Sequence, residues 1–341
     1  MCSAFLVSYS DPVAGMNSQL SDKLEFFYDL EPEIEDFGEA VLRGLSADNK
    51  TLPSKFFYDL RGSQLFDEIC ELDEYYVTRT EIALLTENAA EISECLGTDC
   101  HLVEFGSGSS IKVRILLDAM QKLSGYTGID ISRDHLIASC AELADAYPGL
   151  AVRAVCADYS EALEISAIRS SSGRPVAFFP GSSLGNFVEE DAIEFLARVA
   201  SFLSQSDGGL LIGVDLKKDE ATLNAAYDDA KGVTAAFNLN LLVRANAEIG
   251  TNFDLSAFHH KAFYNADIGR VEMHLVSNKA QSATIGDETI DFAPDEHIHT
   301  ENSYKYSLGQ FADICREAGF TSSKVWCDAN QLFSVHYLET S

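Results

Sequence analysis

Positive charge is scarce in this chain: 24 Lys and Arg stand against 54 Asp and Glu, a formal net charge of −30. A surface of that sign repels phosphate backbones and anionic headgroups, so nucleic acid and membrane are poor partners. Long apolar runs are missing as well. No stretch approaches the ~18–20 unbroken apolar residues of a membrane helix, and the opening MCSAFLVSYSDPVAGM lacks a basic secretory segment. We therefore expect a cytoplasmic protein. The 8 cysteines (Cys2, Cys70, Cys95, Cys100, Cys140, Cys156, Cys315, Cys327) never fall into CxxC spacing, which points to reduced thiols rather than a disulfide frame or a thiolate metal site. With 7 Pro, 22 Gly and 46% hydrophobic residues, the chain is neither collagen-like nor disordered. Its 341 residues leave room for about two domains.

Residues 1–20 carry no helical or alternating pattern and read as a loose tail. An acid-rich helix is expected from there to about Ala47, where SADNKTLP supplies breakers. TEIALLTENAAEISEC, from Thr80 to Cys95, has helical spacing and ends at Gly97. Beyond it the period changes. HLVEF, YTGIDI, LAVRAV, PVAFF and GLLIGVDL are short apolar runs separated by amphipathic stretches, which predicts a parallel, doubly wound α/β sheet. The alternation stops after Leu216: Ala221 to Ile249 reads as helix, and VEMHLV, SATIG and ETIDF read as antiparallel strands. SLGQFADICREAG then has a Ser start and a Gly stop, followed by two last strands in SKVWCD and FSVHYLE. The expected organisation is a main domain of residues 21–218 and 307–341 with an α+β substrate lobe, 219–306, inserted late. Which of the two the helices between 63 and 97 join stays open.

Glu104-Phe105-Gly106-Ser107-Gly108 closes the first of these strands and opens a helix, so Gly106 and Gly108 let a ligand approach the backbone at a helix terminus. A dinucleotide fingerprint needs a third glycine where Ile111 stands, which weakens a dehydrogenase reading. Acids end the next strands at Asp130 and Asp158, with Tyr159 beside the latter. Carboxylates suit a ligand with ribose hydroxyls, an ammonium and a sulfonium but no diphosphate. In these positions the chain resembles class I S-adenosylmethionine-dependent methyltransferases, with a Rossmann-like doubly wound sheet. That resemblance implies S-adenosyl-L-methionine as cofactor: Glu104 at its amino-acid end, Asp130 on the ribose, Asp158 on the adenine amino group, Tyr159 beside the ring.

Longer blocks are more specific. LPSKFFYDLRGSQLFDEICELDEYYVTRTE (52–81), LVEFGSGSSIKVRILLDA (102–119), AFFPGSSLGNF (177–187) and HTENSYKY (299–306) closely resemble, in the same order, the histidine Nα-methyltransferases of ergothioneine biosynthesis. The likeness runs from about residue 22 to the C-terminus. It implies three methyl transfers to the α-amino group of L-histidine, giving hercynine. It places Tyr75 between amino acid and cofactor, Lys112 with the cofactor, Gly181 and Asn186 at the substrate's carboxylate and α-amino group, and Tyr227 on the carboxylate. Tyr58 would close over the site. Tyr75 and Asn186 are the candidates for holding the reacting amine. Glu301 and Ser303 match the residues that bind the imidazole, and Met273 lines that pocket. In E-N-S the i, i+2 spacing puts both polar side chains on one face of an extended segment, where a carboxylate and a hydroxyl suit ring N–H and N atoms. Relatives that methylate tryptophan derivatives would be expected to change this pair, so histidine is the favoured substrate.

Other chemistries compete. His297-x-His299-x-Glu301 sets three ligand-type side chains on alternate positions, where a strand would converge them on a metal. We weigh this below the ring-binding role of Glu301 and expect no metal. His259-His260 diverge as neighbours, and PGSSLG is not the G-x-S-x-G elbow of a serine nucleophile. A nicotinamide enzyme and a silent binding module of the same fold remain as alternatives. A monomer acting on a small molecule is expected.

Overall fold

The structure is a computed structural model that describes residues 23–30, 36–108, 110–120, 122–159 and 173–341, so the tail at 1–20 lies outside it. The helices are α1 (Phe37–Ser46), α2 (Leu60–Cys70), α3 (Tyr76–Glu87), α4 (Ala89–Leu96), α5 (Ile111–Ala119), α6 (Arg133–Ala146), α7 (Glu189–Ser204), α8 (Glu220–Tyr227), α9 (Val233–Glu248) and α10 (Leu308–Glu317). The strands are β1 (Phe26–Asp29), β2 (Cys100–Phe105), β3 (Leu123–Asp130), β4 (Val152–Cys156), β5 (Arg174–Phe179), β6 (Gly209–Asp215), β7 (Phe258–Asn265), β8 (Arg270–Ser277), β9 (Gln281–Ile285), β10 (Glu288–Phe292), β11 (His297–Tyr304), β12 (Phe320–Cys327) and β13 (Phe333–Thr340).

Eight strands form the main sheet in the order β1-β4-β3-β2-β5-β6-β13-β12. The first six are parallel, and β13 runs antiparallel between β6 and β12. Successive residues feed opposite faces: Leu102 and Phe178 enter one core cluster, Val103 and Phe179 the other. A sheet covered on both sides explains why its strands read as continuous apolar runs. The chain steps outward from β2 to β3 on one side and to β5 on the other, so the carboxyl ends of these strands flank a switch point where ligands bind. This is the doubly wound fold predicted from the sequence.

The strands between β6 and α10 form two further sheets, a three-stranded one in the order β11-β8-β7 and the hairpin β9–β10. A bridge between Leu216 and Tyr306 ties the end of this segment to the main sheet. The helices between 63 and 97 have different neighbours: α2 packs on α9, whereas α3 packs on β13 and α5, and α4 on α5.

Three local expectations need correction. The acid-rich helix before Ala47 contains an edge strand, β1, because FFYD pairs in parallel with the otherwise open side of β4; among the described residues of this stretch the helical part is α1, capped by the Asp36 carboxylate, which accepts from Glu39 N at 3.0 Å. Thr80 to Cys95 is broken at Asn88, whose side chain donates to Leu84 O at 2.8 Å and ends the α3 ladder. Ala221 to Ile249 is two helices, α8 and α9, since Gly232 turns at φ +74° and Asp229 caps the second by accepting from Val233 N and Thr234 N. The SLGQFADICREAG helix is as expected: Ser307 and Gln310 form a capping box, and Gly319 follows at φ +87°.

Candidate active site

The glycine loop leaves the end of β2 in a turn that needs Gly106 at φ +72°. The N–H groups of Gly106 and Ser107 both donate to Ile129 O, at 2.9 and 3.1 Å, which fixes the loop to the end of β3. Glu104 is buried just before it. Its carboxylate accepts from the Tyr126 hydroxyl at 2.6 Å; that hydroxyl, having spent its only proton, accepts from Ser107 Oγ at 2.6 Å. Burial pushes Glu104 up to about 7, partly offset by the Tyr126 bond and by Lys112. Gly128 makes this possible, since a β-carbon there would lie 2.7 Å from Ser107 Oγ and 3.0 Å from Cys140 Sγ. Asp130 ends β3, where burial raises its pKa, while Ser132 N donates to it at 2.8 Å. Asp158 follows β4 with Lys55 Nζ 3.9 Å away. Tyr159 packs edge-on against Phe105 and Phe179, and its hydroxyl comes within 3.6 Å of where a Gly106 β-carbon would be.

These residues fit S-adenosylmethionine. The groups set around the loop are carboxylates and backbone, Gly108 has open space around it, and the buried Ser110 hydroxyl at the start of α5 has no partner among the described residues. Lys112 is engaged differently from a free cofactor contact. Its Nζ lies 2.6 Å from Glu81 Oε2, and the Glu81 carboxylate also accepts from Gly181 N at 3.0 and 2.9 Å. Glu81, fully buried on α3, thus joins the cofactor loop to the loop after β5. Gly181 sits there at φ +82°. Asn186, in the short helical turn Ser183–Asn186, is exposed. Gly185 keeps this turn against β11, because a β-carbon would meet Tyr304 O at 2.8 Å.

Aromatic rings gather beside these loops. Tyr75 precedes α3 and meets Tyr227, the last residue of α8, with ring centroids 6.1 Å apart, and Phe66 at 6.3 Å. Burial raises the Tyr75 pKa well above a normal phenol, so it stays protonated. Tyr58 lies between the turn Ser54–Phe57 and α2, edge-on to Phe66 and Phe237. Asp59 holds this corner by accepting from Gly62 N at 2.6 Å and from Asn240 Nδ2 at 2.8 Å. The Tyr227 backbone is anchored by His260, whose Nε2–H donates to Tyr227 O at 2.8 Å while Nδ1 accepts from Asn238.

On β11 the register matters. Glu301 pairs with Met273 and Ser303 with Val271, so Glu301, Ser303 and Met273 share one face. Burial lifts Glu301 to about 7, opposed by Lys305. Ser303 Oγ lies 2.7 Å from the Tyr227 hydroxyl. A bulge falls between His299 and Glu301, with Thr300 Oγ1 donating to Met273 O at 3.0 Å. His299 consequently pairs with His274, the neighbour of Met273, and faces away from Glu301. The convergence of His297, His299 and Glu301 on a metal is therefore overturned. The ligand-type side chains that do meet on the far face are Glu272, His274 and His299, and there Glu272 is already held by Arg270 at 2.9 Å and Asn265 at 3.1 Å.

Several residues of the site were missed in the sequence. Glu81 falls on the apolar stripe of its helix with Tyr76, Val77, Leu84 and Leu85, and a charge on such a stripe was a readable signal. Asp215 ends β6 much as Asp130 ends β3. It accepts from the Tyr76 hydroxyl at 2.8 and 2.9 Å, from Lys218 at 2.6 Å and from Lys305 at 2.7 Å. Lys305, in turn, donates to Tyr227 and Ser303; its i, i+2 spacing from Ser303 was a readable signal, whereas nothing in the order of residues revealed Tyr227 or Asp215 as partners.

Among the described residues no helix is long and apolar enough to cross a membrane. Residues 37–340 match the model of the SAM-dependent histidine-specific methyltransferases. The chain is 42% identical over 294 residues to the histidine N-alpha-methyltransferase of Mycolicibacterium smegmatis, covering 84% of this chain and 90% of that one. It is 39% identical over 305 residues to the histidine N-alpha-methyltransferase of Mycobacterium tuberculosis, covering 86% and 93%. It is 29% identical over 311 residues to Ergothioneine biosynthesis protein 1 of Neurospora crassa, covering 86% of this chain and 33% of that longer protein. With a match spanning nearly every described element and a site built from carboxylates at three strand ends, the chain belongs to the SAM-dependent histidine-specific methyltransferase family.

Proposed function

We propose that this methyltransferase transfers three methyl groups to the α-amino nitrogen of L-histidine, forming hercynine on the route to ergothioneine, and that residues 219–306 act as its substrate lobe. One observation carries the choice of substrate: Glu301, Ser303 and Met273 share a face of the inserted sheet, with the Tyr227 hydroxyl bonded to Ser303. A carboxylate and a hydroxyl set side by side match the in-plane nitrogens of an imidazole; a phenyl ring would leave the carboxylate unpaired, and an indole, which has one N–H and no ring acceptor, would leave the hydroxyl without its ring partner.

S-adenosylmethionine, when bound, supplies a methyl carbon made electrophilic by its sulfonium. Glu104, Asp130, Asp158 and Tyr159, with the backbone at Gly106 and Gly108 and with Lys112 beside them, are the groups that would hold it. Tyr75 and Asn186 hold the amine in line; Tyr58, Gly181 and Tyr227 enclose the amino-acid end of the substrate. An α-amino group titrates near 8, so roughly a tenth is neutral at pH 7, and loss of its proton costs about 1 kcal/mol. Orientation is thus the larger task, and no strong dedicated base is needed. The reaction stops at the trimethyl stage because the nitrogen then has no lone pair. Mass spectrometry of histidine incubated with enzyme and S-adenosylmethionine is the test: gains of one, two and three methyls are expected, and unaltered histidine overturns the assignment.

A further inference from the structure

Resting on the histidine reading, we propose that the buried Lys305–Asp215 ion pair is a positioning element that leaves the Tyr227–Ser303 hydroxyl pair with a single outward proton, so that the pocket takes the imidazole ring in its neutral form. The argument is a count of hydrogens. The Lys305 and Asp215 side chains are each 1% exposed. An ammonium has three donors and no acceptor. Lys305 Nζ has three partners: Asp215 Oδ2 at 2.7 Å, the Tyr227 hydroxyl at 2.9 Å and Ser303 Oγ at 2.7 Å. Both hydroxyl oxygens therefore accept from Lys305. They hold two O–H bonds between them, and their 2.7 Å contact uses one. One O–H remains, whichever oxygen carries it.

Glu301 supplies the complementary acceptor on the same face. One donor and one carboxylate match a neutral imidazole, which has one N–H and one bare nitrogen. An imidazolium has two N–H groups; the second would have to take the one lone pair the hydroxyl pair has left in place of the O–H contact, and the ring charge would then lie close to the Lys305 charge. Asp215 is what keeps Lys305 in this role. Tyr76 and Lys218 also bind its carboxylate, which ties the device to the end of β6 and to α3, the helix that follows Tyr75. The groups facing Glu301 are Lys305, just past the end of its own strand, and the Tyr58, Tyr75 and Tyr227 hydroxyls from the elements packed against it. Among these Lys305 is the only cation, and removing it must raise the carboxyl pKa of Glu301.

The test measures L-histidine binding to the enzyme–S-adenosylhomocysteine complex between pH 5.5 and 7.5, where the substrate's α-amino group stays at least about three-quarters protonated, so that its titration changes little beside that of the ring. For wild type, Kd is expected to rise as pH falls, with ring protonation adding up to about tenfold per unit below the ring pKa of about 6.5 to the Glu301 step. 2-Fluoro-L-histidine, whose ring stays neutral throughout, is expected to lose that part of the dependence and keep only the Glu301 step. K305M is expected to raise the histidine Kd at least about tenfold at pH 7.5 and to move the acid limb to higher pH, with S-adenosylhomocysteine affinity within about twofold of wild type. Should K305M not fold, the fluorohistidine comparison decides by itself: histidine that binds more tightly as its ring protonates overturns the proposal. A K305M that matches wild type in Kd and pH profile overturns it too, while leaving histidine methylation intact. A wild-type enzyme that neither binds nor methylates histidine overturns the functional reading instead, and this inference falls with it.

Discussion

Glu81 enters the main sheet through the space left by Gly213: a β-carbon on Gly213 would lie 2.0 Å from Glu81 Oε1. A helix carboxylate is thereby brought onto β6, within reach of both Lys112 and Gly181 N. Gly213→Ala is expected to push the carboxylate out and leave Lys112 and the Gly181 N–H without their partner. Breaking a buried pair of this kind costs about 3 kcal/mol. Urea unfolding reads the loss, and a midpoint equal to wild type would show that Glu81 does not need this space.

Cofactor affinity should depend on pH through Glu104. Burial holds this carboxyl near pH 7, above its unfolded value, so it is increasingly protonated below pH 7, and a neutral acid does not attract a cationic amino-acid end. Affinity for S-adenosylhomocysteine is therefore expected to fall as pH falls through 7. The same shift favours the folded state of the empty enzyme while the acid is protonated, and that contribution fades as pH rises through about 7. Tyr126→Phe removes a bond that lowers the Glu104 pKa and should move the binding midpoint upward; Glu104→Gln should flatten the curve. Calorimetry across pH 5.5–8.5 measures all three, and an unshifted midpoint in Tyr126→Phe would assign the dependence to another group.

Glu301→Gln is expected to weaken histidine binding by about two powers of ten because the replacement amide offers a donor as well as an acceptor. S-adenosylhomocysteine should bind as before. Parallel titrations with the two ligands separate the effects, and an equal loss of both would mean that Glu301 supports the whole cleft.

Ser307→Ala removes the cap that accepts from Gln310 N at 3.2 Å. A lost N-cap costs about 1 kcal/mol, so the thermal midpoint should drop by a few degrees while kcat for histidine stays near wild type. A fall in kcat with no change in midpoint would place Ser307 in the site rather than in the helix end.

Much of the site was legible because its chemistry is local. Glu104 with Gly106, Asp130 and Asp158 each follow an apolar run directly, and the alternation in Glu301-Asn302-Ser303 survives into β11. The metal reading of His297, His299 and Glu301 failed for a local reason of another kind: the bulge at Thr300 flips the alternation between two positions that look equivalent on paper. The strand β1 was read as helix because its partner, β4, is about 125 residues away, and pairing with a distant edge outweighs the propensity of four residues.

Sequence alone settled the sheet, its strand-end acids and the family resemblance, since these follow from period, spacing and residue type. Tertiary structure decided how the charges are joined. Lys305 donates to Asp215 and Tyr227, and Glu81 joins Lys112 to Gly181, through contacts between residues from about thirty to a hundred positions apart. No local pattern encodes such pairings, because a buried charge is tolerated only where the packed fold delivers its partners within hydrogen-bonding reach.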